Sequence, residues 1–413
     1  MFGSFTEEQD QLRDAVRGYF RDKSPEAEVR RLMATDEGYD PVVWRQMARE
    51  LGLQGLAIPG QYGGQGSGWV ELGIVLEEMG RALMCAPFFS TVVLAATTLL
   101  ESADDAAKKD YLPGIAGGSV IATVALTEES GRWDEGGVTL PATRSPDGWT
   151  LSGTKHFVLD GATAQLIIVP ARTASGVSLF AVDAAAPGLT RRPSVTLDQT
   201  RKLAVTEFDG TPARLIGAEG GGWAVLRRVL DFAAVALAAE QAGGAQAALD
   251  SSVRYLSTRV QFGQVIGAFQ ALKHMAADVH IEVESARSAA YYALNAAAED
   301  NEELPAAASL AQAYCSEAFV TAAHQNIQFH GGMGGVIARR IQAARNGPPG
   351  WSGPAALAGR TGGCWRRSER PRGRPAAPGA GPAPAIPGCA AARAGGRSRS
   401  AGSRGSGPPL MTA

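Results

Sequence analysis

Cysteine is scarce in these 413 residues, and the four present (Cys85, Cys315, Cys364 and Cys389) lie far apart with no C-x-x-C spacing. That excludes an iron–sulfur or zinc-finger reading and suggests a reducing compartment. The five His are scattered, so no metal site is expected. Charge is thin as well, 19% of residues against about 25% in an average soluble domain. The longest apolar run, Phe88 to Leu100, has 13 residues with Ser and Thr inside it, whereas a membrane span needs about 18. The opening stretch from Met1 to Asp14 is acidic and lacks the charged-then-apolar run of a signal peptide. These absences predict a soluble, cytoplasmic chain without a membrane span.

The formal net charge of −2 conceals a split. Residues 346–413 hold ten Arg, no Lys and one acid, Glu369, a net +9 that leaves −11 on the first 345 residues. An acidic body argues against nucleic-acid binding, because affinity for phosphate comes from clustered Lys and Arg. The basic block also holds 15 Gly and 11 Pro in 68 residues, too few apolar groups to offset the entropy of ordering it. It reads either as a disordered basic tail or as the product of a G+C-rich gene read out of frame.

What is present falls into three structured regions and that tail. Residues 1–117 read as helices: Ser4 or Thr6 with Glu7 and Glu8 marks a start, and Leu12, Val16, Tyr19 and Phe20 follow at helical spacing. Asp40-Pro41 opens another helix, carrying the stripe Val43, Met47 and Leu51. Pro59 to Gly66 is a glycine-rich loop, and Val70–Arg81 and Phe89–Leu100 complete the helical set. Over 118–217 the pattern turns to short β-rich runs, Val120–Leu126, Trp149–Leu151, Leu166–Val169 and Val177–Val182, which suggest a small sandwich or barrel. Over 218–345 helix returns, predicted as continuous from Trp223 to Ala298 and again from Ala306 to Phe329. The fold class is therefore α+β: an N-terminal helical domain, a middle β-barrel or sandwich, and a C-terminal helical bundle.

Six local strings then occur in a fixed order. They are Pro59-Gly60-Gln61-Tyr62-Gly63-Gly64, Glu77-Glu78-Met79-Gly80-Arg81, Leu126-Thr127-Glu128, Gly153-Thr154-Lys155-His156-Phe157-Val158, Arg259-Val260-Gln261-Phe262-Gly263 with Ile266-Gly267 and Phe269-Gln270, and Gln328-Phe329-His330-Gly331-Gly332-Met333-Gly334. Together they resemble the acyl-CoA dehydrogenase family over residues 1–335. The resemblance implies an FAD flavoprotein of fatty acid and lipid metabolism, with the cofactor in a cleft between β unit and bundle and part of its shell from a neighbouring subunit. Arg259 would then face the pyrophosphate with its fork of donors. Phe262 would wall the cofactor, and Gln270, Gln328, Gly331 and Gly332 would complete its binding, the glycines by letting backbone approach. Leu126, Thr127, Phe157 and Leu159 would line the flavin ring; relatives often carry Trp and Thr at the last two. The resemblance further implies an acyl-CoA substrate, an electron-transferring flavoprotein as electron acceptor, and a homo- or hetero-oligomer of related subunits.

The family reaction needs a carboxylate base within reach of the α-carbon of the thioester. Relatives supply it either from a stretch after the glycine motif, which the Pro/Gly/Arg tail replaces, or from the first bundle helix, where this chain has Ala233. Ala234 likewise replaces an Arg of some relatives. Asp231 lies about 200° round the helix from Ala233, and Glu240 shares its face about 10 Å further on. Glu240 is thus a candidate base, or simply a carboxylate in a glycine-rich helix contact. Three functions remain open: an FAD-dependent acyl-CoA dehydrogenase, a non-catalytic partner subunit of a hetero-oligomeric one, and an inactive truncated product.

Overall fold

The computed structural model describes residues 5–146 and 148–333. The expectations for the tail from 346, and for any base after the glycine motif, lie outside the described residues.

Helices come first: α1 (Glu7–Lys23), α2 (Glu26–Met33), α3 (Pro41–Arg49), α4 (Trp69–Ala82), a π-helical stretch (Phe89–Ala96) running into α5 (Thr97–Glu101), and α6 (Asp105–Ala116). Local chemistry sets the starts. The Thr6 hydroxyl accepts from the Gln9 N–H at 3.2 Å while the Gln9 side chain accepts from the Thr6 N–H at 3.1 Å, a reciprocal cap. Asp40 accepts from the N–H groups of Val42 and Val43, with Pro41 in the first turn. Trp44 and Met47 form the buried face of α3, whereas Val43 is only half-buried and Leu51 lies past its end. In the Pro59–Gly66 loop, a Cβ on Gly64 would stand 1.9 Å from the Ile58 carbonyl oxygen, so only glycine fits.

Strands β1 (Ala122–Val124), β2 (Ala142–Ser145), β3 (Gly148–Leu159), β4 (Leu166–Thr173), β5 (Gly176–Asp183), β6 (Leu189–Pro193) and β7 (Leu203–Ile216) form a sheet in the order β1-β4-β5-β7-β3-β2, with β6 also on β7. The long strand β7 pairs β3 through Leu203–Ala213 and β5 through Arg214–Ile216, so it turns the corner between two layers. Strand β1 is parallel to β4 and much shorter than the β-rich run Val120–Leu126.

The bundle is α7 (Gly222–Thr258), α8 (Gln270–Glu299) and α9 (Leu304–His330). The continuous helix expected from Trp223 to Ala298 is broken. A hairpin, β8 (Val260–Gln261) and β9 (Gln264–Val265), interrupts it. Its two-residue turn is Phe262-Gly263 with φ of 54° and 80°, the paired left-handed geometry that suits the twist of a tight hairpin.

Glycine sets the spacing of α4 and α7. A Cβ on Gly80 of α4 would lie 2.0 Å from the Glu240 carbonyl oxygen, and one on Gly243 of α7 would lie 1.8 Å from that of Glu77. Gly244 is closed in the same way by the Phe319 ring of α9, and Gly73 by Leu294 of α8. Each glycine costs about 1 kcal/mol of helix propensity, and the close approach of the backbones offsets it. Gly243→Ala should therefore lower stability by about 1–3 kcal/mol through overpacking. Gly18→Ala on α1, where none of the described residues lies within 4 Å of a notional Cβ, should raise it by about 0.5–1 kcal/mol. Urea midpoints of the two variants should move in opposite directions; a parallel shift would refute the packing argument.

Candidate functional site

Strand β3 carries the site's foundation. Lys155 is fully buried, and its Nζ donates to Glu128 Oε1 at 2.7 Å and to the Leu126 carbonyl at 3.3 Å. Glu128 also accepts from the N–H groups of Thr139 (2.9 Å) and Leu140 (3.0 Å) and from the Thr139 hydroxyl. Burial pulls the Lys155 ammonium down to about 8 against the opposing charge of Glu128. Burial pushes the Glu128 carboxyl up, but Lys155, Thr139 and Leu140 outweigh it and leave it below the usual range. The pair pins the segment after β1 to β3. The His156 N–H completes the join by donating to the Thr127 carbonyl at 2.8 Å.

The pairing of β3 with β7 shifts register between Lys155 and Val158. At that bulge Phe157 takes φ 55° and stands 37% exposed, an unusual conformation and exposure for an aromatic residue. Leu159 follows, its carbonyl accepting from the Thr123 hydroxyl at 2.6 Å. Leu126, Thr127, Phe157 and Leu159 consequently line one cavity of about 40 Å³, closed on its other side by Leu226, Val229, Leu230 and Leu237 of α7. Thr127 is buried, and its hydroxyl bonds none of the described residues, so it is available to a ligand. A slot with one apolar wall, a half-exposed aromatic ring and an unused hydroxyl suits the edge of a flat heterocycle such as a flavin.

The remaining sequence-predicted residues lie elsewhere. Arg259, Phe262 (91% exposed) and Gln270 are on the surface around the hairpin. Exposed Gln328 and the glycines Gly331 and Gly332 end α9. Both sets share one end of the bundle, because Tyr255 stacks on His330 at 4.1 Å and the Ser252 hydroxyl donates to Asn326 at 3.0 Å. Gly331 has φ 56° and ψ −134°, a conformation essentially reserved for glycine, and neither glycine has any of the described residues within 4 Å of a notional Cβ. From Leu237, at the cavity, to Arg259 is 22 residues of helix, about 33 Å, so one chain keeps this end of the bundle apart from the cavity of Leu126, Thr127, Phe157 and Leu159.

Ala233 is completely buried in α7. Glu240 does not line the cavity of Thr127 and Phe157. It lines a second one of about 40 Å³, and its carboxylate bonds Arg201. Among the described residues, the lining of the first cavity contains no carboxylate. Sequence reasoning missed Arg201, which lines both cavities, because nothing in the loop before β7 signals that it faces a helix 39 residues on. A larger cavity, about 610 Å³ and bounded by α1, α2, α4, α7 and α9, is lined by Glu78, Gly80 and Arg81 of the second motif string but by none of the candidate cofactor residues. No helix among the described residues is long and apolar enough to cross a membrane.

Three family models match in chain order: acyl-CoA dehydrogenase N-terminal domain over residues 6–119, middle domain over 123–209 and C-terminal domain over 220–345. The chain is 32% identical over 329 residues to acyl-CoA dehydrogenase IpdE2 of Mycolicibacterium smegmatis, covering 79% of this chain and 88% of that one. It is 31% identical over 349 residues to an acyl-CoA dehydrogenase of Bacillus subtilis, covering 80% and 89%. Among solved structures, the ChsE4-ChsE5 complex from Mycobacterium tuberculosis superposes with TM-score 0.79 at 27% identity, covering 87% of this chain and 98% of that one. A variant of the Tcur3481-Tcur3483 steroid ACAD gives 0.73 at 33%, covering 86% and 94%.

Two outcomes test the site's electrostatics. Lys155→Met leaves the Glu128 charge buried without its partner and should cost about 3–5 kcal/mol, while adding Glu128→Gln should recover much of the loss; additive losses in denaturant titrations would contradict the pairing. Burial holds the Asp160 carboxyl up at about 6, although Ser90 and Arg201 pull it down. Its folded value exceeds the unfolded one, so it stabilises below about pH 4, and that contribution is lost as pH rises to about 6. Asp160→Asn should flatten the stability profile in that window; an unchanged slope would count against it.

Proposed function

The chain belongs to the acyl-CoA dehydrogenase family, whose members are FAD flavoproteins and oxidoreductases of lipid metabolism, and on that premise we propose that it takes part in α,β-dehydrogenation of an acyl-CoA thioester, with electrons passing to an electron-transferring flavoprotein. The observation that carries this reading is the cavity between Leu126, Thr127, Phe157 and Leu159 and the leucine-rich row of α7. Bound there, FAD would accept the hydride removed from the β-carbon. The chain's own contribution is to orient and to exclude water: Thr127 offers its hydroxyl to the ring edge, Phe157 and Leu159 cover its face, and the α7 leucines keep the acyl group dry.

The second set of residues would act on a neighbouring subunit's cofactor. Arg259 would meet pyrophosphate oxygens, Phe262 and Gln270 would flank it, and Gln328 with Gly331 and Gly332 would let backbone N–H groups approach. The separation of about 33 Å along α7 supports this division, as do relatives solved as two-component complexes. The α-proton needs a base. Ala233 offers none, and Glu240 is committed to Arg201, so the base would come from outside the described cavity lining.

Two measurements follow. Arg259→Ala should weaken FAD retention by about 1.5–3 kcal/mol, the worth of a hydrogen bond to a charged group, read as loss of flavin absorbance on gel filtration of the assembled protein; undiminished retention would remove Arg259 from the site. Dye reduction with acyl-CoA thioesters should be about a hundred- to ten-thousand-fold below that of a relative with its base in place. Co-expression with a related subunit carrying a Glu should restore it. Full turnover by the chain alone would reverse the assignment.

A further inference from the structure

Arg201 is the only charged side chain among the described residues lining the cavity of Thr127 and Phe157, whose walls are otherwise nearly all apolar. It also lines the second cavity, with Asp160, Thr200, Glu240, Met79 and Met84. The two cavities share Phe89, Leu159 and Arg201, so the Arg201 side chain forms part of the wall of both. On the acyl-CoA reading, an acyl group extending from the first cavity toward the second would meet Arg201 on the wall they share.

The guanidinium is well held there. One terminal nitrogen bonds Glu240, and its carbon lies 5.2 Å from the Phe89 ring centre, in cation–π range. A guanidinium has five N–H donors, and those not turned to Glu240 have no partner among the described residues while the side chain keeps 22% exposure. Charge is already balanced: Glu240 pairs with Arg201, and Asp198 and Asp160 add acidic groups close by. A further anion would meet excess negative charge, and a plain hydrocarbon would leave donors unpaired. A neutral acceptor fits both constraints.

We propose that Arg201, braced by Glu240, is a specificity-determining residue that receives an uncharged carbonyl oxygen on the acyl group, remote from the thioester. The proposal rests on the acyl-CoA reading above and adds the chemical class of the acyl group: a keto-bearing rather than a purely hydrocarbon thioester. It also gives Glu240 a positioning role in place of that of a base.

The test is flavin absorbance-difference titration of the assembled, FAD-loaded protein with three thioesters of equal chain length: a plain acyl-CoA, its distal keto counterpart and its distal carboxylate counterpart. The keto compound should bind about tenfold more tightly than the other two, as a hydrogen bond to a charged donor implies. In Arg201→Met combined with Glu240→Leu, which leaves neither charge unpaired, that preference should vanish while affinity for the plain chain is kept or improved. Should this pair of changes release the flavin, Arg201→Lys serves instead, keeping the charge but losing the planar fork, and should weaken the preference. Equal affinities in the unaltered protein, preference for the carboxylate, or a preference that survives the variants would overturn the proposal while leaving the acyl-CoA reading intact. If no thioester perturbs the flavin, the acyl-CoA reading falls and this inference with it.

Discussion

Helix α7 must be packed on nearly every side, and most of the molecule follows from that constraint. It meets α4, α8, α9, the π-helical stretch and strand β5, and residues 232–239 along it are all buried. Only small side chains allow so many neighbours to reach one helix. Hence the run Phe232-Ala233-Ala234-Val235-Ala236-Leu237-Ala238-Ala239, and hence Gly243 and Gly244 where α4 and α9 press closest. Interiors are packed as densely as organic crystals, so a carboxylate at position 233 would need room and a partner that this packing does not supply.

Where α7 does carry charge in its enclosed middle, a partner has been brought to it. Glu240 is the one charged residue between Asp231 and Asp250, and Arg201 meets it from the connection that leads into β7. Lys155 and Glu128 do the same on the sheet side, with three further hydrogen bonds from Thr139 and Leu140 onto the carboxylate. An unpartnered ion in either place would cost several kcal/mol. Both pairs therefore act as fixed points, one holding the segment around Thr127 to β3 and the other setting the polar boundary at the end of the apolar slot.

Much of this was legible in the amino-acid order. Asp40-Pro41 and Thr6 announce helix starts because the capping atoms belong to the same few residues as the N–H groups they satisfy. The glycine loop at 59–66 and the β-rich runs at 166–169 and 177–182 are local in the same sense. The helix predicted across Trp223–Ala298 failed for the opposite reason. Apolar residues continue through the hairpin at Val260, Phe262, Val265 and Ile266, and a Phe-Gly pair able to take positive φ at both positions is a weak local signal. The motif residues lie in short local strings, and how far apart those strings stand within one chain is written in none of them. Leu126, Thr127, Phe157 and Leu159 share one cavity, whereas Arg259 and Gly331 belong to the far end of the same bundle.

The sequence by itself determined the helix–sheet–helix order, the caps and turns, the kinship with acyl-CoA dehydrogenases and the absence of a carboxylate at position 233, since all of these reside in neighbouring residues or in spacing along one element. Only the tertiary structure decided that Glu240 faces Arg201, that Arg201 lines two cavities, and that the cavity of Thr127 and Phe157 meets α7 about 33 Å along the helix from Arg259. Each of these joins groups from separate elements. Their meeting depends on how closely α4, α7 and the sheet approach one another, and that distance is set by packing rather than by any local preference of the chain.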